Sequence, residues 1–347
     1  MTTTRTFPFP PGTTTTSMLG TAARWTALTA ARVAVRRPDL AATSVALCNN
    51  PGLAALLGAR PALALRRLPN TATVLGWGHR ASGRRAMRIA DRTDARLLLV
   101  EDGFLRSRLP HDPPSSYVFD DIGIYYDATR PSRLESLMAD GPADPVRARS
   151  ALYLWRTRGL SKLTGLPACT AELPDRYVLV LDQLVGDASV AGGLAHPGSF
   201  DRMLLAARTE FPNLPIVFKS HPAAGRRRCH FDARRVPGVV PVDWPCHPAP
   251  LIAGAEAVYT VTSQGGFEAL LHGRPVRTFG MPFYAGWGLT EDDLAPPSRR
   301  GAASLEALVD AALLRYPRYL DPATFQETTL EAAVDRLAGA PSPARAA

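Results

Sequence analysis

The chain has 347 residues, a formal net charge of +9 carried mostly by arginine, and four cysteines. That length accommodates two domains, each with its own core. Cys48, Cys169, Cys229 and Cys246 lie far apart without a CxxC pair, which argues against a disulfide framework or a structural zinc and fits a reducing cytoplasm. No stretch offers eighteen uncharged apolar residues, so a membrane span is excluded from the expectation, and the Thr- and Pro-rich start is unlike a signal peptide. The arginine excess suits phosphates, nucleic acid or anionic lipid, or reflects base composition alone. No stretch interleaves basic and aromatic residues as a nucleic-acid module does.

In chain order, residues 1–20 read as a disordered tail. Residues 21–70 carry helix-like Ala/Leu/Arg patterns punctuated by Pro38, Pro51, Pro61 and Pro69. "TATVLGWG" then reads as strand and glycine turn, "SGRRAMRIADRT" as a helix opened by Ser82, and "ARLLLV" as a second strand. A second series follows a Pro-containing break near 167–174: "RYVLVLDQ", "LPIVFKSHP" and "AVYTVTS" as strands, with "GSFDRMLLAARTEF", "APLIAGAE" and "GGFEALLHG" as helices. Continuous apolar runs separated by helices require a parallel sheet covered on both faces. Two α/β halves are expected, 21–170 and 171–300, with C-terminal helices at 301–340 expected to pack back on the first.

In open α/β sheets ligands bind beyond the carboxyl ends of the strands. Four strands here end in chemistry: "VEDG", "DQLVGD", "KSHP" and "TSQGG". A strand-terminal Asp or Ser alone is more often a helix cap than a catalyst, so the four weigh together. Ser263 and Gln264 precede Gly265 at the start of a helix whose amides suit a phosphate, and Glu268 could accept from ribose hydroxyls or simply complement the helix dipole. Lys219 and His221, two apart in an extended segment, share a face and suit a phosphate. Asp182 and Asp187 flank a turn at Gly186, and Asp187 is expected to project rather than to cap.

Taken with "GWGHRASGRRAMRIA", "EDGFLRS", "DDIGIYYDATRPSRLESL", "VLDQLVGDAS", "VTSQGGFEALLHGRPV", "FGMPFYAGWGLT" and "RYPRYLDP", these motifs make the sequence resemble the β-Kdo transferases of bacterial capsule polysaccharide biosynthesis over roughly residues 74–338. The resemblance implies an α/β GT-B fold with two Rossmann-like domains facing a central cleft, the first for the acceptor and the second for the CMP-sugar. It implies CMP-Kdo as donor substrate with no further cofactor and no metal, retention of the β configuration, and an anionic phospholipid or Kdo-glycolipid acceptor. Other capsule enzymes are implied partners, and the place of work is the cytoplasm or the inner membrane face, where "GRRR" at 225–228 could meet lipid.

By the same resemblance Asp187 is the nucleophile, Glu101 the general base and His221 the residue facing the leaving phosphate. Lys219, Ser263, Gln264 and Gly265 would hold that phosphate, Glu268 the ribose, and Arg106 or Arg84 the Kdo carboxylate, unless those arginines form surface salt bridges. Asp102 and Asp182 are secondary candidates, and Tyr284 and Trp287 are candidates for acceptor stacking. The linker "RLPHDPPSSYVF" departs from the longer family connection, and one module stands where well-known members carry two. A transferase of another acidic sugar such as sialic acid, or a non-catalytic capsule scaffold, are the competing readings.

Overall fold

The computed structural model describes residues 36–64, 72–223 and 228–339. The expected tail at 1–20 and residues 225–227 of the "GRRR" run lie outside the described residues. The first half opens with β1 (Arg36–Ala42), α1 (Val45–Cys48), α2 (Pro51–Leu57) and β2 (Arg60–Leu63), then β3 (Thr73–Trp77), α3 (Ala81–Ala90), β4 (Arg96–Asp102), β5 (Ser116–Asp120), α4 (Arg133–Ala139) and α5 (Pro145–Thr157). The second comprises β6 (Val178–Leu181), α6 (Ala188–Gly192), α7 (Pro197–Glu210), β7 (Ile216–Lys219), β8 (Val239–Val242), α8 (Ala249–Gly254), β9 (Ala257–Thr260), α9 (Gln264–Leu271), β10 (Val276–Thr278) and β11 (Glu291–Asp292). The chain then returns through α10 (Leu305–Val309), a π-helical turn at Asp310–Arg315, β12 (Pro317–Leu320), β13 (Glu327–Thr328) and α11 (Leu330–Gly339).

Two sheets result. The second is wholly parallel, in the order β11-β10-β9-β6-β7-β8. The first has the order β13-β12-β5-β4-β3-β1-β2, parallel from β4 to β2 and antiparallel from β4 to β13. Two α/β halves of this kind are the GT-B arrangement. Two local expectations change. The helix-like reading of 21–70 misses β1 and β2, whose Ala-rich runs lack the branched residues that mark strands. Ser82 does not open α3: its Oγ accepts from Trp77 N at 3.2 Å, clasping strand to helix.

Several contacts join the halves. Glu135 is buried, accepts from Ser132 N in a capping box, and receives Arg299 Nε and Arg300 Nε, each at 2.7 Å. Arg300 Nη1 continues to the carbonyls of Pro282 and Ala285 at 2.7 and 2.9 Å. Gly192 O of α6 accepts from Ala128 N at 2.8 Å. On α9, Gln264 Nε2 donates to Phe104 O at 2.8 Å, and Glu268 Oε1 accepts from Lys162 N at 3.0 Å. Between these polar clasps Phe104 stacks against Phe283, with ring centroids 4.6 Å apart, in a core that includes Trp155, Phe267, Tyr284 and Trp287.

Gly83 sits where α3 crosses the β3 turn; a Cβ there would lie 1.6 Å from Gly78 O, a backbone atom that cannot swing aside. Gly83→Ala is expected to lose on the order of 3 kcal/mol in urea unfolding; an unchanged midpoint would show that the helix can lift freely. Glu268 gives a pH signature. Burial raises its carboxyl from 4.5 to about 7, while the Lys162 and Gln264 hydrogen bonds pull the other way. Between those pH values the folded state keeps a proton that the unfolded chain has lost, so this contribution is complete below 4.5 and is lost as pH rises through about 7. Glu268→Gln, which has no proton to lose, should therefore gain on wild type as pH goes from 5 to 8, by at most about 1.4 kcal/mol per unit; a pH-independent difference in urea unfolding would contradict this.

Candidate active site

The order of the second sheet reverses beside β6, which has β7 on one side and β9 on the other. Such a switch point opens a crevice at the strand ends. Gln183 and Thr262, the residues just beyond β6 and β9, meet across it: Thr262 N donates to Gln183 Oε1 at 2.8 Å, and Gln183 Nε2 donates to Thr262 Oγ1 at 3.0 Å. Gln183 Nε2 also reaches Ser189 Oγ at 3.2 Å. Asp187 is the N-cap of α6, its Oδ1 accepting from Ser189 N and Ser189 Oγ, both at 2.9 Å. The expectation that Asp187 projects instead of capping is corrected in part: one oxygen caps, and Oδ2 has no hydrogen-bond partner among the described residues.

Glu101 and Asp102 are the last residues of β4 itself, registered against Val118 and Tyr117 of β5. Gly103 follows because β5 crowds it: a Cβ would stand 2.0 Å from Ser116 Oγ, which donates to Leu105 O at 2.5 Å. Glu101 Oε1 accepts from Trp77 Nε1 at 2.6 Å, and Tyr126 OH stands 3.5 Å from Oε2. Burial raises the Glu101 carboxyl, with Lys162 and the Trp77 N–H drawing it back. Asp102 is engaged differently, in an ion pair with Arg106 Nε at 2.8 Å.

Tyr125 and Tyr126 lie on the loop between β5 and α4. Burial pushes the Tyr125 and Tyr126 hydroxyls up, and the negative charges of Glu101 and Asp187 push them further. Glu101 touches Tyr126, and α6, which Asp187 caps, is docked two residues after Tyr126 by the Ala128–Gly192 bond.

Several other candidates are held elsewhere, which corrects their expected roles. Lys219 is buried, its Nζ donating to Ser220 O and Trp244 O at 2.8 and 3.0 Å; burial lowers its pKa. Gln264 has both amide hydrogens engaged, by Phe104 O and Glu268 Oε1, and keeps only an acceptor, which a phosphate repels. Glu268 is buried under Lys162 N instead of facing a ribose. Arg106 also donates to Ser107 Oγ and Asp112 O, and Arg84 donates to His79 O, so both arginines close local structure. Tyr284 and Trp287 are core residues bonded to Ser263 O and Phe283 O at 2.6 and 3.0 Å, not stacking platforms. Asp182 is buried, accepts from Gln183 N and Phe231 N, and is raised by burial to about 6.

Ser263 caps α9, its Oγ accepting from Gly265 N at 3.1 Å, and a Cβ at Gly265 would approach Leu181 Cδ1 to 2.5 Å. His221 stays half-buried at the end of β7, where Ala223 N donates to Nδ1 at 3.1 Å. An accepting Nδ1 places the ring proton on Nε2. Trp77, Gln183, Ser189 and Lys162 join the candidate site without having been singled out in the sequence, although Trp77 and Gln183 stand inside "GWGH" and "LDQ", and Tyr126, an interface or core aromatic by the reading of "GIYYDA", joins them.

Residues 72–149 and 143–319 match the family of capsule polysaccharide biosynthesis proteins. The capsule polysaccharide modification protein LipA of Neisseria meningitidis serogroup A is 35% identical over 80% of this chain, and the lipopolysaccharide-processing protein LpsZ of Rhizobium meliloti is 35% identical over 74%. The chain spans 45% of the LipA protein and 61% of LpsZ. Among solved structures, the beta Kdo 2,4 transferase of Thermosulfurimonas dismutans KpsC superposes with a TM-score of 0.79 at 37% identity, covering 86% of this chain and 97% of that one. The beta Kdo 2,7 transferase of the same KpsC superposes at 0.64 and 28%, covering 83% and 94%. With its matched residues running through both halves and every strand-end motif, the chain belongs to the capsule polysaccharide biosynthesis family.

Proposed function

We propose that the chain transfers Kdo from CMP-Kdo to a Kdo-bearing glycolipid, with retention of the β configuration, in building a capsule linker. The observation that carries this reading is geometric: Glu101 lies 3.5 Å from Tyr126 OH in the first half, and α6, which Asp187 caps from the second half, is bonded through Gly192 O to Ala128 N, two residues beyond that tyrosine. The likeness to two KpsC Kdo transferases supplies the sugar, and the greater likeness to the 2,4 enzyme makes that linkage the first to look for. No helix among the described residues is long and apolar enough to cross a membrane, so the lipid acceptor would be met at the membrane surface.

Two successive inversions give net retention. In the first, Asp187 Oδ2 attacks the anomeric carbon, the carbon–oxygen bond to CMP breaks, and the electron pair leaves on the phosphate, which His221 Nε2–H can receive. In the second, an acceptor hydroxyl attacks the same carbon, its proton passes to Glu101, and the ester bond returns its pair to Asp187. The division suits the environments. Asp187 is half-exposed and held by its cap, whereas Glu101 is raised by burial toward the range in which a carboxylate works as a base. Trp77 Nε1 fixes the rotamer of that base.

Intact-protein mass spectrometry with CMP-Kdo separates the two roles. Glu101→Gln, which keeps the acceptor for Trp77, should form the Kdo ester and fail to discharge it, so that the adduct accumulates even with acceptor present. Asp187→Ala should form none and lose transfer by on the order of a thousandfold or more. Transfer at near wild-type rate by Asp187→Ala would remove the nucleophile assignment, and hydrolysis of CMP-sialic acid in place of CMP-Kdo would replace the sugar.

A further inference from the structure

We propose that Lys162 is the cation that holds an anionic group of the sugar-nucleotide donor beside Glu101, an inference that rests on the transferase reading above. A CMP-activated acidic sugar brings two anions, a phosphate and a carboxylate, and an anion taken from water needs a cation or several donors to replace its hydration. Of the cationic candidates the sequence offered, Lys219 is bonded to two carbonyls, Arg106 to Asp102 and Arg84 to His79 O, while His221 is assigned to the leaving phosphate. Gln264 has no amide hydrogen left.

Lys162 differs from all of them. Its main chain is bound by both halves: its carbonyl accepts from Arg106 N and Ser107 N at 3.0 and 3.3 Å, and its N–H donates to Glu268 Oε1 at 3.0 Å. The loop thus stands alongside the "EDGFLRS" segment and the first turns of α9 at once. The side chain is half-exposed, and among the described residues its ammonium forms no ion pair and no hydrogen bond. Its positive charge lowers the carboxyls of both Glu101 and Glu268. An ammonium on a flexible stem, beside the proposed base and with no fixed partner, can turn to an arriving anion without breaking a structural contact. Because the loop is held by main-chain bonds, the side chain can be exchanged while these contacts stay.

The test compares wild type, Lys162→Met and Lys162→Arg in donor kinetics with CMP-Kdo, in calorimetric titration with CMP, and in thermal unfolding. Lys162→Met should raise the donor KM at least tenfold with kcat changed by only a few fold, and Lys162→Arg should recover most of the affinity. A parallel loss of CMP affinity in Lys162→Met would assign the contact to the phosphate, and an unchanged CMP Kd with raised KM would assign it to the sugar carboxylate; either supports the inference. Unchanged KM and Kd in Lys162→Met overturn it and leave the transferase reading intact. Equal loss of donor binding and thermal stability in both variants would make Lys162 a structural residue and also overturn it. A wild type that neither binds CMP nor consumes CMP-Kdo defeats the underlying reading instead.

Discussion

The carboxylate of Glu135 holds the molecule's return crossing. It is buried in the first half, where it closes the capping box of α4, and two arginines from the end of the second half converge on it. Arg300 is wholly inside, so its charge is tolerable only while Glu135 and the Pro282 and Ala285 carbonyls surround it. Removing one partner of such a pair typically costs about 3–5 kcal/mol, because the other charge is left in a low dielectric. Everything downstream, from α10 to α11, is led back onto the first half through this point.

That crossing matters because the candidate site draws on both halves. Glu101, Trp77 and Tyr126 come from the first, Asp187, Ser189 and Thr262 from the second. The halves are held in register by the clasps at Gln264 and Glu268 on α9 and Gly192 on α6, each bonded to main-chain atoms of the first half. Side chains that a motif reader would give to the ligand are instead used to hold the halves in register. Lys219 follows the same pattern within the second half, tying β7 to the 244–246 turn.

The parallel core was legible in the sequence because a strand buried on both faces must be apolar throughout, and "VLVL", "IVFK" and "AVYT" are buried at every position. The first sheet was less so. Leu40 and the alanines of β1 carry no period-2 signal, and β12 pairs with a strand some two hundred residues earlier, a relation that no local pattern encodes. At the site, the residues bearing charge at strand ends were visible, but their commitments were not. Whether Arg106 meets a ligand or Asp102 depends on a rotamer, and whether Tyr126 meets Glu101 depends on how a loop returns over β4. Lys162, in the plain stretch "GLSKLTG", had no motif to mark it.

The antiparallel edge of the first sheet bears on how the chain is made. On a ribosome β5 emerges with one edge open, and its partner, Pro317–Leu320, follows about 200 residues later, roughly 10–40 s at ordinary elongation rates. All six strands of the second sheet fall within Val178–Asp292, so that sheet has every strand it needs before the first one does. Synthesis and folding therefore run in different orders: the earlier-made half is finished last, its exposed edge closed by the final segment to arrive. A chain truncated near residue 300 would carry a finished second sheet beside an unpaired, aggregation-prone β5, and cutting the gene at the midpoint would leave the upstream fragment with that same open edge.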